Sequence, residues 1–183
     1  MIFTKTQLEG SYVVEIEKHS DKRGFMARTW DKKIFEKLGL NADVTQCNVS
    51  YTKKKGTIRG LHFQIKPYEE SKLIRCTKGK IFDVIIDLRT DSKTYKKWFS
   101  IELSENNHKM LYIPEGFAHG FQTLQNDTEV FYQVTEYHNP NYERGIKWND
   151  NTFSISWPLK PTVISIKDKS WKSYADNILK KRK

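Results

Sequence analysis

The stretch KLIRCTKGKIFDVIIDLR, residues 72–89, contains two apolar, β-rich runs separated by Lys78-Gly79. The runs 72–77 and 80–88 have the length of ordinary strands, and a glycine-containing pair between such runs is typical of a turn. The stretch therefore predicts two consecutive strands.

Further short strand-like runs lie on both sides of this stretch, at residues 12–16, 44–52, 57–64, 98–103, 110–113, 117–124 and 129–137. Turn residues such as Pro114-Glu115-Gly116 separate them. Many short strands at short spacing favour an antiparallel sandwich or barrel. A few short peripheral helices are expected: one from an N-cap at Asp31 to Leu38, closed by Gly39, and a basic helix or tail at 170–183, with the helix over 170–181.

The length of 183 residues suits one domain spanning 1–183. No apolar run approaches the roughly 20 residues that a membrane span requires. The N-terminal segment lacks the basic and apolar regions of a secretory signal, so we expect a cytoplasmic protein without a membrane partner. Cys47 and Cys76 lie in strand-like runs without CxxC spacing, which favours reduced, buried thiols.

The net charge of +10 indicates an anionic partner. Basic residues are scattered singly or in pairs apart from clusters at 53–55 and 180–183, and no helix-turn-helix, zinc-finger or RNP-like signature is present. This distribution disfavours nucleic acid as the partner. A phosphorylated metabolite fits the charge better.

Alternation along the strands predicts a polar interior face. In RGLHFQ, residues 59–64, His62 and Gln64 point to the face opposite two apolar side chains. In the run 80–88, Asp83 shares a face with isoleucines, and a carboxylate there needs a cation or a hydrogen-bond donor. A small barrel with a polar lumen would supply one.

Eight motifs occur in order along nearly the whole chain. They are Asp21 with RGF at 23–25, Gln46 with Asn48 and Ser50, RGLHFQ at 59–64, the stretch 72–89, IPEGFAHGF at 113–121, FYQVTEY at 131–137, ERGIKWND at 143–150, and Ser165 with Lys167 and Asp168. With them the chain resembles the dTDP-4-dehydrorhamnose 3,5-epimerase family of the cupin superfamily. The resemblance implies an all-β antiparallel jelly roll without a cofactor. It also implies a homodimer in which an N-terminal strand of one subunit helps close the other's active site.

The histidine pattern agrees with the metal-free chemistry that the resemblance implies. Metal-binding cupins use an HxH pair with a nearby Glu and a later His, but His62 is followed by Phe63 and Gln64. Only His62 and His119 remain as obvious ligand candidates, which are too few to hold a divalent ion well.

The resemblance assigns four catalytic roles. His62 is the base that removes a proton next to a ketone, and Asp168 fixes its tautomer. Lys72 stabilises the enolate oxygen, and Tyr132 returns a proton from the opposite face. We expect Asp83 to keep Lys72 charged, because their strands are predicted to be neighbours.

Further residues match the family's substrate contacts. For the diphosphate these are Arg23, Arg59 and Lys167, with Gln46, Asn48 and His119 as additional polar contacts. Tyr137 and His138 are binding candidates at the end of the last long strand. On a regular strand Tyr137 faces away from Tyr132, so both line the site only if a bulge intervenes.

The nucleotide-reading motif departs from the family pattern RGFFxE. Met26 replaces a stacking ring and Arg28 replaces a carboxylate, and a guanidinium suits acceptor edges such as those of guanine. We therefore expect GDP as the carrier, with dTDP, CDP and UDP as alternatives. His138 stands where many members have an aromatic ring, which suggests a changed sugar pocket, such as one for a 4-keto heptose instead of a 4-keto-6-deoxyhexose.

Two classes of function remain open. The first is an epimerase that acts on a nucleoside-diphosphate 4-keto sugar at C3, or at C3 and C5. The second is a non-catalytic sugar-nucleotide-binding cupin or a 3,4-ketoisomerase, which would keep the phosphate contacts but place its acid differently.

Overall fold

Two antiparallel sheets pack face to face in the computed structural model, which describes residues 1–174. The strands are β1 (Ile2–Lys5), β2 (Tyr12–Glu15), β3 (His19–Asp21), β4 (Gly24–Met26), β5 (Gln46–Thr52), β6 (Ile58–Gln64), β7 (Lys72–Lys78), β8 (Lys80–Asp87), β9 (Trp98–Ser104), β10 (Met110–Ile113), β11 (Phe117–Thr123), β12 (Thr128–Val134) and β13 (Glu143–Gly145); the helices are α1 (Lys32–Lys37) and α2 (Ile166–Ser170). The predicted all-β jelly roll is confirmed.

The larger sheet has the strand order β1-β2-β10-β7-β12-β5, and the smaller has the order β13-β6-β11-β8-β9. Strands β3 and β4 form a separate hairpin. The main core lies between the sheets, where Ile74 and Leu111 from the larger sheet meet Ile85 and Phe121 from the smaller one. Burial of these apolar side chains holds the two layers together.

The inward faces of the two sheets are apolar in one region and polar in another. Val130 on β12 is fully buried in the core, whereas Tyr132, two residues later on the same face, lines a cavity. On β7, Cys76 is likewise buried in the core, whereas Lys72 lines the cavity. Period-two alternation therefore places polar groups inside the sandwich at one end.

Strands β6 and β11 approach each other unusually closely at Gly60 and Gly120. A Cβ atom on Gly60, whose φ is +117°, would lie 2.6 Å from the Gly120 Cα atom. The register shifts between His119 and Phe121 at this point. The close approach leaves His62 and His119 as register partners on neighbouring strands.

The first predicted helix is confirmed, and for the second only residues 170–174 can be compared. The Asp31 carboxylate caps α1 by accepting hydrogen bonds from the backbone amides of Lys33 and Ile34, and Gly39 follows with a φ of +69°. The sequence analysis missed α2, and residues 171–173 are not helical. The rest of the predicted helix and tail lies outside the described residues. The single domain over 1–183 stays a prediction.

All nine predicted strands are present, with ends within a few residues of those expected. The short strands β1, β3, β4 and β13 were missed.

Both cysteines are free thiols. Cys76 is buried, and this burial raises its pKa to about 12, but Cys47 is exposed on the outer face of β5, so the prediction that both are buried was wrong. Within residues 1–174, no helix is long and apolar enough to cross a membrane.

Candidate active site

Two adjoining cavities, each of about 430 Å³, open between the sheets. His62, Lys72 and Tyr132 line both of them, so these three side chains stand where the cavities meet. His62 comes from β6 of the smaller sheet, and Lys72 and Tyr132 come from β7 and β12 of the larger sheet. The volume lies in the range of small-molecule sites.

His62 and Asp168 form a closely bonded pair. His62 Nε2 lies 2.6 Å from Asp168 Oδ1, and the backbone amide of Gly60 donates to Asp168 Oδ2 at 3.2 Å. The Ser165 hydroxyl accepts a hydrogen bond from the Asp168 amide and caps α2. Among the described residues, His62 Nδ1 has no hydrogen-bond partner, so it is the nitrogen left for chemistry.

The environment keeps Asp168 ionised. Burial alone raises the pKa of a carboxyl group, but the hydrogen bond and charge of His62 and the Gly60 amide outweigh it, and the pKa of Asp168 is lowered. An ionised carboxylate on Nε2 fixes the tautomer of a neutral imidazole and stabilises its protonated form.

The carboxylate paired directly with Lys72 is Glu70, whereas Asp83, which we expected in this role, interacts with Lys72 only through its charge. Lys72 Nζ lies 2.9 Å from Glu70 Oε1, and the two side chains are 12% and 9% exposed. Strands β7 and β8 follow each other in the chain but belong to opposite sheets, so they are not the paired neighbours that we expected. Sequence reasoning missed Glu70, although its position two residues before Lys72 was a usable signal.

Asp83 forms a second carboxylate–imidazole pair. Its Oδ1 atom lies 2.7 Å from His119 Nε2, and Asp83 is completely buried. Burial raises the pKa of Asp83, against the opposing effects of His119 and of the Lys72 charge. The expected buried carboxylate with a donor is therefore present, while the second oxygen, Oδ2, has no partner in the described part of the chain.

The other predicted binding residues divide between the two cavities. Arg59 and Lys167 line the first cavity with His119, and Arg59 Nε donates to the Thr52 hydroxyl at 2.9 Å. Gln46, Asn48 and His138 line the second cavity.

Four predicted binding residues line neither cavity of this chain. Arg23 is 90% exposed and pairs with Asp21 in the β3–β4 hairpin. Met26 is 66% exposed at the end of the same hairpin, and Arg28 Nη1 lies 3.0 Å from Asp31 Oδ2. Tyr137 lies beyond the end of β12 and is 63% exposed. No bulge therefore brings it into the site beside Tyr132.

Glu143 is a second residue whose place sequence reasoning missed. It accepts hydrogen bonds from Lys167 Nζ at 2.6 Å and from His138 Nε2 at 3.2 Å. Burial opposes its ionisation, but these contacts outweigh burial and lower its pKa. The motif ERGIKWND contained Glu143 without suggesting a role for it.

Within residues 1–174, no group of three or more His, Cys, Asp or Glu side chains is arranged to hold a metal ion. His62 and His119 each have their Nε2 atom occupied by a separate carboxylate. The absence of a metal from the reaction stays a prediction.

Comparison with known proteins agrees with this geometry. The model of the family described as dTDP-4-dehydrorhamnose 3,5-epimerase matches residues 5–176. The dTDP-4-dehydrorhamnose 3,5-epimerase of Methanothermobacter thermautotrophicus is 42% identical over 178 residues, which are 96% of this chain and 95% of that protein.

Two solved structures are similar over almost their whole length. The Bacillus anthracis dTDP-4-dehydrorhamnose 3,5-epimerase, with TDP and PPi bound, has a TM-score of 0.90 and 42% identity over 94% of this chain and 98% of that chain. The Legionella pneumophila dTDP-6-deoxy-D-glucose-3,5-epimerase, in complex with dTDP-4-keto-L-rhamnose, has a TM-score of 0.88 and 34% identity over 94% and 92%. This chain therefore belongs to the dTDP-4-dehydrorhamnose 3,5-epimerase family and is an enzyme of the carbohydrate epimerase class.

Proposed function

We propose that this enzyme epimerises a dTDP-linked 4-keto-6-deoxy sugar at the carbons next to the ketone, by metal-free proton abstraction. The observation that carries the proposal is the His62–Asp168 pair beside Lys72 and Tyr132 at the junction of the two cavities. A base, a cation and a weak acid around one space match the needs of an enolate intermediate.

The reaction begins when His62 Nδ1 takes the proton from C3 of the sugar. The C–H electron pair moves into the ring and leaves an enolate oxygen at C4, which the Lys72 ammonium stabilises. The Tyr132 hydroxyl then donates its proton to C3 from the opposite face, which inverts the centre. Solvent takes the proton from His62 and returns one to Tyr132, and the same cycle at C5 gives the doubly inverted product.

Arg59 and Lys167 are suited to hold the diphosphate. Both line the first cavity beside His62, and cationic groups bind phosphate oxygens by charge-assisted hydrogen bonds. Arg59 is additionally fixed by its donation to Thr52 and to the Tyr51 carbonyl oxygen.

The carrier we propose is dTDP, and the GDP hypothesis finds no support. That hypothesis depended on Met26 and Arg28, which reach no cavity of their own chain and would meet a nucleotide only in the shared dimer site proposed below. The similar solved structures hold TDP and a dTDP-linked sugar. Calorimetric titration of the protein with dTDP and GDP tests the carrier: we expect tighter binding of dTDP, and tighter binding of GDP would reverse the assignment.

We also propose a homodimer with shared active sites. The β3–β4 hairpin exposes Phe25 and Met26, and the outer face of β5 exposes Val49 and Tyr51, so a second copy has apolar surface to cover. Arg23 sits in the same hairpin, where it reaches no cavity of its own chain.

Mixing two inactive variants tests this sharing. If Arg23 serves the partner's site, a His62→Asn chain and an Arg23→Ala chain together form one intact site in each mixed dimer, and about a quarter of the activity returns. No recovery after the chains have exchanged, shown by sedimentation of tagged copies, contradicts a shared site.

Solvent deuterium tests the reaction itself. Incubation with the dTDP-linked 4-keto sugar in D2O is expected to label C3, or C3 and C5, and the label is expected to disappear with His62→Asn while Glu102→Gln, on the edge strand β9, retains it. Absence of label with every carrier would favour a non-catalytic binding protein. Migration of the ketone to C3 would favour a 3,4-ketoisomerase.

A further inference from the structure

Trp171 lies against the His62 ring without lining either cavity. The two ring centroids are 6.3 Å apart, and the ring planes meet at 66° in an edge contact. Trp171 directly follows α2, three residues after Asp168. The same short segment therefore brings two side chains to the imidazole: a carboxylate at Nε2 and an indole at the ring.

The position of the Trp171 indole depends on the absence of a side chain at Gly145. Gly145 on β13 is the register partner of His62, and a Cβ atom placed on Gly145 would clash with Cε2 of the Trp171 ring. Lys167 Nζ lies 5.9 Å from the indole centroid. The absence of a side chain on Gly145 therefore leaves the space in which the indole reaches His62.

Folding stability alone is a poor explanation for an indole at this place. The Trp171 Nε1 group is buried and has no hydrogen-bond partner among residues 1–174, and an unpaired buried donor is destabilising. A phenyl ring would fill apolar space without that penalty.

We propose that Trp171 is a positioning residue for His62. A single hydrogen bond from Nε2 to Asp168 leaves the imidazole free to tilt, because the terminal torsion of histidine has a broad minimum. The indole edge restricts this tilt and keeps Nδ1 directed at the carbon that loses its proton. The inference rests on the proposed role of His62 as the base.

The first test compares Trp171→Ala with Trp171→Phe. We expect Trp171→Ala to lower kcat by about 10- to 100-fold, since a misplaced catalytic group can lose about 100-fold, with little change in KM. Trp171→Phe restores a flat ring and is expected to recover most of kcat. Trp98→Ala removes a half-buried tryptophan that packs outside the site and is the matched control, with kcat close to that of the unaltered enzyme.

A double-variant cycle tests the route through Gly145. Gly145→Ala displaces the indole from its position beside His62. The substitution is therefore expected to lower kcat in the parent enzyme but to have little further effect in the Trp171→Ala background. Equal and additive losses in both backgrounds would overturn the proposal, as would a Trp171→Ala enzyme with unchanged kcat.

Two further outcomes distinguish failure of the positioning role from failure of the proposed function. If Trp171→Ala does not fold, as judged by circular dichroism, Trp171→Phe and Gly145→Ala decide, and unchanged kcat in Gly145→Ala contradicts the inference. If His62→Asn retains deuterium exchange at C3, the proposed function fails. If His62→Asn loses exchange while the Trp171 variants keep full kcat, only the positioning role fails.

Discussion

Glu70 Oε1 lies 2.9 Å from Lys72 Nζ, and the pair stands almost fully buried between the two sheets. Glu70 Oε2 also accepts a hydrogen bond from Gln64 Nε2, and the same amide nitrogen donates to the backbone oxygen of Tyr137. Lys72 is therefore held by a carboxylate that is itself anchored to β6 and to the loop after β12.

Glu70→Gln should reduce both stability and turnover. It leaves a buried ammonium without its counter-ion, and breaking such a pair typically costs about 3 kcal/mol of unfolding free energy. We expect kcat to fall about tenfold or more, because Lys72 loses its fixed position near the enolate oxygen. Glu102→Gln breaks the Lys80–Glu102 pair, which is partly exposed, and is expected to change stability by at most about 1 kcal/mol and kcat not at all. Urea unfolding and steady-state kinetics measure both, and equal effects of the two variants would contradict the assignment.

Asp168→Asn should destabilise the protein in a pH-dependent way. Because the folded-state pKa of Asp168 is lowered, its stabilising contribution is present above the unfolded value of about 4 and is lost as the pH falls through the folded value. The difference in unfolding free energy between the parent and Asp168→Asn is expected to be about 1 to 3 kcal/mol at neutral pH and to shrink below about pH 4.

Asp43→Asn is the control for this measurement. The Asp43 side chain is 80% exposed, and its loss is expected to change stability by about 0.5 kcal/mol at most. A difference for Asp168→Asn that grows on acidification would show that its ionised form is not the stabilising one.

Tyr132→Phe should separate proton removal from inversion. Without the hydroxyl, His62 still exchanges the C3 proton with solvent, but the opposite-face donor is gone, so formation of the epimer is expected to fall about 100-fold or more. Proton NMR in D2O follows label and configuration together. Tyr142→Phe removes the hydroxyl of a half-buried tyrosine that packs on Tyr68 and should behave as the parent does. Epimer formation at the parent rate by Tyr132→Phe would remove Tyr132 from the mechanism.

Gly120→Ala should disrupt the crossing of β6 and β11. Its Cβ atom would lie 2.7 Å from the Arg59 carbonyl oxygen, and neither backbone has room to yield. We expect a loss of about 2 kcal/mol or more of unfolding free energy, together with a lower kcat, because His62 and His119 flank the crossing. Gly39→Ala has no atom within 4 Å and is the control: its positive φ costs about 1 kcal/mol, and kcat should not change.

The strands could be predicted because their signals are local, and the grouping of the four candidate catalytic residues around one cavity could be predicted because it depends on motif order. Alternation alone placed His62 and Gln64 on the inner face, and the motif order paired His62 with Asp168, which is 106 positions away. Lys72 was expected to pair with Asp83 and not with Glu70, because chain order does not reveal that β7 and β8 lie in different sheets. Trp171 was not predicted as a site residue, because its proposed role depends on its packing against Gly145 and His62. Sequence periodicity does not indicate such a contact.

The position of α2 in the chain has a consequence for how the enzyme matures. Every strand of both sheets is synthesised before Asp168 and Trp171, so the two sheets can form while His62 still lacks its carboxylate. Domains fold as units during synthesis, starting from the N-terminal side. A nascent chain that has just completed β13 carries His62, Lys72 and Tyr132 on its sheets, but Lys167 and Asp168, which complete the lining of the first cavity, emerge only with the next two dozen residues.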